Sequence, residues 1–258
     1  MDYVENDQRQ IDNLAVRIHN SRSSMGADAS DLVGNKIKVL LGQQDFVNMI
    51  FAAAPSQTEL LKYLSEKKDI DWTRVNAFHM DEYLGLPPDA VQRFGNFLKS
   101  NIFGKVPFHT VNYLLKYSTD DEGECERYSD LLKNYPPDIV CMGIGENTHI
   151  AFNDPHVARF NDPVSVKVVE LDARSRMQQV NDGCFKDIDD VPVSAITLTI
   201  PALLQATHIF CVVPGRNKAE AVYHTLTSEI QEKYPSTILR THHDATLFLD
   251  RSSSTRLL

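Results

Sequence analysis

The segment Met142-Gly-Ile-Gly-Glu-Asn-Thr-His-Ile-Ala-Phe-Asn-Asp154 sets one histidine, His149, among acidic and amide side chains in a turn broken by Gly143 and Gly145. An imidazole beside Asn147 and Asp154 is a proton carrier with groups able to orient it, while Glu146 reads equally as a solvated turn residue or a catalytic one. A second acidic turn, His79-Met-Asp-Glu-Tyr83, offers Asp81 and Glu82 and is bounded by Gly85, Pro87 and Pro88. An Asp-Glu pair ahead of a helix ordinarily caps it, accepting from free backbone N–H groups. The pair becomes chemical if the strands at Val75 and Ile139 are neighbours, because Asp81 and His149 then face one pocket as the carboxylate and imidazole of a proton transfer.

Other residues suit an anion. Ala52-Ala-Ala-Pro-Ser-Gln-Thr58 turns into a helix, so its free N–H groups with Ser56 and Thr58 can hold a phosphate, and capping by Ser56 is an equal reading. Lys218, in Gly215-Arg-Asn-Lys218, opens a helix where a cation is misplaced against the macrodipole unless an anion lies near; the alternative is a lone surface lysine. Arg174 and Arg176 either clamp a phosphate or face solvent. His242-His243-Asp244 has metal-ligand residue types, but adjacent strand positions face opposite ways, so a turn is read there and no metal site is expected.

These residues need strands that end where they begin. Pro136-Pro-Asp-Ile-Val-Cys141 is a short apolar run, hence a buried strand that delivers His149 to its C-terminal mouth, where open α/β sheets bind ligands. Strands are also read at Leu14 to His19, Phe46 to Phe51, Val75 to Phe78, Val164 to Leu171, Ala195 to Ile200, Ile209 to Val213 and Thr246 to Leu249. Helices are read from Ser23 to Gln44, Glu59 to Ser65, Gln92 to Ile102, Glu122 to Lys133 and Ser175 to Val180. The alternation predicts α/β class: a parallel-dominated, Rossmann-like sheet in a three-layer α/β/α sandwich, as a single domain over 1–258 without linker or repeat.

At 42% hydrophobic residues, 258 residues can bury a substantial core. The net charge of −9, with no Lys/Arg block, argues against a nucleic-acid partner. Cys125, Cys141, Cys184 and Cys211 show no paired spacing, so free thiols and a cytoplasmic setting are expected. No apolar stretch approaches the ~20 residues of a membrane span, and the polar leader from Met1 lacks a signal peptide's basic start and apolar core.

Phe78-His-Met-Asp-Glu-Tyr-Leu-Gly-Leu-Pro87, Gly143-Ile-Gly-Glu-Asn-Thr-His-Ile-Ala-Phe-Asn-Asp-Pro155 and Gly215-Arg-Asn-Lys-Ala219 together resemble the glucosamine-6-phosphate deaminase family, in order and over nearly the whole chain. The resemblance implies a cofactor-free enzyme that converts glucosamine 6-phosphate and water to fructose 6-phosphate and ammonia, binds a phosphorylated amino sugar, and forms a homo-oligomer. It assigns Asp81, with Glu82 beside it, to proton transfer between C2 and C1, and His149 to opening the sugar ring. Asn147 and Asp154 match two carboxylates that orient that histidine. Lys218 and the loop residues Ala53, Ala54, Ser56, Gln57 and Thr58 match the phosphate cradle, with Arg176 as a further ligand. The chain departs from the pattern at Asn147, an amide for a carboxylate; at Asp154, a shorter acid than glutamate; at Thr148, where glycine is expected; and in the glycine-poor loop. A lactonase-like hydrolase of 6-phosphogluconolactone, which needs no C2 base, and a non-catalytic sugar-phosphate sensor are the competing readings.

Overall fold

Short strands that are apolar along nearly their whole length must bury both faces of a sheet, and that requirement organises the chain. The computed structural model describes residues 7–115 and 120–257, so the first six residues of the polar leader read ahead of Leu14 lie outside it, and the part described contains a strand, Asp7–Ile11. The strands are β1 (Asp7–Ile11), β2 (Leu14–His19), β3 (Val47–Phe51), β4 (Val75–His79), β5 (Asp81–Tyr83), β6 (Thr110–Asn112), β7 (Ile139–Met142), β8 (Val166–Glu170), β9 (Ser194–Leu198), β10 (His208–Val213) and β11 (Ala245–Asp250). The helices are α1 (Arg22–Leu41), α2 (Thr58–Ser65), α3 (Phe94–Leu98), α4 (Asp121–Asn134), α5 (Ala173–Asn181), α6 (Ile200–Leu204) and α7 (Ala219–Thr227).

Eight strands form the main sheet in the order β1-β2-β11-β10-β7-β3-β4-β6, parallel except for the β1–β2 hairpin. Met49 and Phe51 of β3, with Phe248 of β11, pack beneath Val33 and Ile37 of α1 and Leu60 and Leu64 of α2. Their strand neighbours Ile50 and Leu247 face the other way, against Tyr128 of α4, Leu203 of α6 and Val222 of α7. The expected three layers are therefore present. From β3 the chain proceeds outward through β4 to β6, whereas β7 proceeds through β10 to β11. The order reverses between β3 and β7, and a crevice opens at such a switch point beyond the strands' C-terminal ends.

Three expectations need correction. β8 and β9 do not extend the parallel sheet but join β5 in a separate antiparallel one, β5-β9-β8. The sequence Val166-Lys-Val-Val-Glu170 has solvent-facing positions, the mark of a half-exposed antiparallel strand rather than a doubly covered parallel one. Asp81 and Glu82 stand in β5 rather than in a turn, paired opposite Thr197 and Ile196. β4 and β7 are not neighbours, because β3 lies between them. No helix among the described residues is long and apolar enough to cross a membrane.

Candidate active site

The crevice at the switch point is lined by residues from four strand ends. β3 releases Ala52, Ala53 and Ala54 and then a tight turn, Pro55–Gln57, before α2. β7 releases Gly143, Gly145 and His149; β10 leads through Arg216–Lys218 to α7; and Asp81 arrives from β5. Asp81, His149, Ser56, Gln57 and Lys218 thus share one cavity although β4 and β7 are not adjacent.

The histidine turn is closed by backbone bonds: Thr148 N–H donates to Gly145 O (3.0 Å) and Gly145 N–H to His149 O (2.9 Å). Closing it requires φ +72° at Thr148, left-handed backbone that costs a β-branched residue on the order of 1–2 kcal/mol, which is why glycine is the expected residue there. Ser236 N–H holds the strained peptide by donating to Thr148 O (2.9 Å). Gly145 is required for space: a Cβ built there would lie 2.1 Å from His149 Cε1, so the ring packs directly on the glycine.

Asn147 Oδ1 and Ser175 Oγ each lie 2.8 Å from His149 Nδ1, and Asp154 Oδ1 stands 3.0 Å away as an ion-pair contact. Asp154 Oδ1 also accepts from Asn147 Nδ2 (2.9 Å) and from the Ser175 hydroxyl, and its Oδ2 accepts from Asp172 N–H (3.0 Å). Burial works against ionisation of Asp154, but the adjacent His149 ring, with the hydrogen bonds from Ser175 and Asn147, outweighs it and holds the carboxyl far below its usual range. Asp154 therefore has no proton to share, so Ser175 gives it its own and turns a lone pair to His149. That fixes the proton on Nδ1 and leaves Nε2 as the acceptor, with no hydrogen bond among the described residues.

Asp81 is buried, and burial, reinforced by the charge of Glu82, pushes its carboxyl well above the usual range. His79 positions its backbone. Leu114 N–H donates to His79 Nε2 (2.9 Å), so Nδ1 carries the proton and donates to Asp81 O (2.9 Å). Burial lowers the pKa of this imidazole to about 4, so it is neutral. Lys218, only 4% exposed, is likewise depressed to about 8 by burial, against the raising charges of Asp182 and Glu146. A surface lysine it is not. Ser56 does not cap α2; its Oγ accepts from Gln57 Nε2 (3.1 Å), whose other acceptor is Val212 O (3.2 Å). Gln57 Oε1 is buried without a partner among the described residues.

Three expected residues stand elsewhere. Successive strand residues face opposite ways, so Glu82 turns from the crevice into a separate cavity beside Arg93 and accepts from the N–H groups of Tyr83, Phe94 and Gly95 (each 3.0 Å). The capping role holds for Glu82, at α3, and not for Asp81. Arg176 spends its guanidinium on the carbonyls of Ile188 (2.6 Å) and Val191 (2.9 Å), away from the crevice. Thr58 is exposed at the start of α2. Arg174 instead lies 3.6 Å from Glu220 of α7, two residues past Lys218. Unanticipated members are Ser175, Gln178 and Gln179, buried polar residues at helical i, i+3, i+4 spacing on α5; that spacing was the available sign of an inward polar face.

A switch-point crevice holding a buried cation, a high-affinity carboxyl and an oriented histidine defines a Rossmann-like α/β/α protein equipped for proton transfer on an anionic ligand. The sequence profile of the glucosamine-6-phosphate isomerases/6-phosphogluconolactonase family matches residues 20–248, and the chain belongs to that family. A glucosamine-6-phosphate deaminase of Exiguobacterium sp. is 35% identical over 216 residues, covering 83% of this chain and 82% of the relative. One of Clostridium novyi is 30% identical over 239 residues, covering 89% and 97%. Among solved structures, a monomeric glucosamine-6-phosphate deaminase superposes with TM-score 0.85 at 25% identity, over 93% of this chain and 98% of that one. The 6-phosphogluconolactonase of Thermotoga maritima superposes with TM-score 0.75 at 18% identity, over 92% and 99%, a likeness of fold.

Proposed function

We propose that the chain is an amino-sugar-phosphate deaminase and isomerase that converts glucosamine 6-phosphate and water to fructose 6-phosphate and ammonia. The observation that carries this reading is the buried Asp81 carboxyl, of raised proton affinity, in the same crevice as His149 and Lys218. The names of the relatives at 30–35% identity agree with it.

Lys218 and the loop from Ala53 to Gln57 hold the phosphate. The orphaned Gln57 Oε1 is an acceptor for a ligand hydroxyl. Nε2 of His149 takes the proton of the anomeric hydroxyl and returns it to the ring oxygen as the ring opens. Asp81, a base whose affinity is shifted toward neutrality, removes the C2 proton and delivers it to C1; the resulting C2 imine takes up water and releases ammonia. Asn147 and Asp154 orient His149, and Glu82 supports α3 instead of acting on substrate. The single domain over 1–258 is supported by one cavity that draws on residues from Ala52 to Lys218, and a cytoplasmic setting by four free thiols.

Lactone hydrolysis needs no base at C2, so it would leave Asp81 without a task. The test is release of ammonia and fructose 6-phosphate from glucosamine 6-phosphate, with galactosamine 6-phosphate and 6-phosphogluconolactone run in parallel. Asp81→Asn is expected to lower kcat by about 10²–10⁴-fold while retaining substrate binding. Unchanged turnover in that variant, or hydrolysis of the lactone alone, would overturn the assignment.

A further inference from the structure

The amide at Asn147 leaves His149 without one of the two anions that the family resemblance places around it, and α5 supplies something in return. Of the three oxygens around Nδ1, Asn147 Oδ1 is neutral and is shared with the His149 backbone N–H (3.2 Å). Asp154 Oδ1 lies within ion-pair distance, yet the ring N–H is directed at Asn147 and Ser175. Ser175 Oγ meets Nδ1 and donates onward to the carboxylate through one and the same oxygen, whereas Asn147 meets the ring through Oδ1 and the carboxylate through its separate Nδ2. Its placement is secured from two sides. Ser175 is 1% exposed in the first turn of α5, and the helix's N-cap residue, Asp172, gives its backbone N–H to the other oxygen of the same carboxylate. Asp154 thus grips the start of α5 and holds the hydroxyl against the imidazole.

We propose that Ser175 is the positioning residue that couples His149 to Asp154: its hydroxyl accepts the Nδ1–H and donates to Asp154, passing to the ring the negative charge that Asn147 cannot supply. This rests on the reading of His149 as the group that opens the sugar ring. During that step one proton moves from the anomeric oxygen to Nε2 and then to the ring oxygen. The Nδ1 and Ser175 protons stay in place, and the bond chain to Asp154 stabilises the transient imidazolium.

The test uses the full chain carrying Ser175→Ala, with and without Asn147→Asp, and His149→Ala as reference. Ser175→Ala is expected to lower kcat roughly 10–100-fold at nearly constant KM. Adding Asn147→Asp, which puts a carboxylate 2.8 Å from Nδ1, should restore most of that loss; damage to packing would instead be deepened by it. Nitrogen-15 NMR of the imidazole should show the Nδ1–H tautomer in both proteins, held by Asn147 Oδ1, with the Nδ1–H signal displaced in Ser175→Ala by loss of the bond to the hydroxyl. Parental kcat and an unchanged Nδ1–H signal in Ser175→Ala, while His149→Ala is inactive, would overturn the proposal alone. An active His149→Ala would overturn the ring-opening role, and NMR would then decide Ser175: an Nδ1–H signal unchanged in Ser175→Ala refutes the coupling.

Discussion

Gly145→Ala separates the chemistry from anion binding. The added Cβ would lie 2.1 Å from His149 Cε1 and 2.2 Å from Nε2, where ordinary contact begins at 3.4 Å, so the ring must retreat by about 1 Å. Such a retreat stretches the 2.8 Å contacts of Nδ1 beyond hydrogen-bond range and moves Nε2 off its target. A misplacement of about 1 Å costs on the order of 100-fold in rate, so kcat should fall by about that factor. Lys218, Ser56 and Gln57 are untouched, so KM should hardly change. Gly143→Ala is the mirror experiment. Its Cβ would meet Gln57 Nε2 at 3.0 Å and Ser56 Oγ at 3.3 Å, a crowding of a few tenths of an ångström at the anion end. A cost of about 1 kcal/mol there would raise KM roughly fivefold with little effect on kcat. Steady-state kinetics of ammonia release on both variants checks the pair. A Gly145→Ala enzyme with parental kcat, or with its defect confined to KM, would refute the claim that the glycine exists to admit the imidazole.

Lys218→Met should raise KM about 10–100-fold, the loss of a buried charge-assisted contact, while kcat at saturation changes far less. Because burial holds that ammonium near a pKa of about 8, kcat/KM of the parent should decline above about pH 8 as the free enzyme loses the charge, and Lys218→Met should lack that limb. His79 predicts acid sensitivity of the fold. Its folded pKa of about 4 lies below the ordinary histidine value of 6.5, so the unfolded chain takes the extra proton first; the stability it contributes is complete above pH 6.5 and is lost toward pH 4. Urea unfolding should show a loss on the order of 3 kcal/mol across that window, and His79→Gln should abolish this dependence while costing about 1–3 kcal/mol at neutral pH.

The parallel strands were legible because they are short apolar runs punctuated by glycine, proline or polar turns. β1 and β6 were not: Asp7-Gln-Arg-Gln-Ile11 is polar and mostly exposed at the sheet edge, and Thr110–Asn112 is a three-residue edge strand. β5 escaped because its few residues advertise chemistry instead of periodicity. Asp81, His149 and Lys218 were found by type and spacing, yet spacing could not tell that Glu82 faces away, which follows from strand alternation once β5 is known. Ser175 was hidden for a different reason. A serine in a helix carries no local sign of its partner, and only the docking of α5 on Asp154 gives its hydroxyl something to do.

The separate pairing of β5 has a consequence for how this kind of molecule diversifies. The anion end of the crevice is built on β3, β7 and β10 of the large sheet, whereas Asp81 rides on a strand anchored to β9, where it faces Thr197. The oxygen of Thr197 in turn accepts from Phe152 N–H, just past the histidine turn (3.0 Å). The anion grip and the reacting carboxylate are thus carried on different sheets, with His149 standing beside the grip beyond β7. Descendants of one ancestor can then exchange the reacting carboxylate while inheriting the anchor unchanged, which is an economical origin for a family that unites isomerases with lactonases.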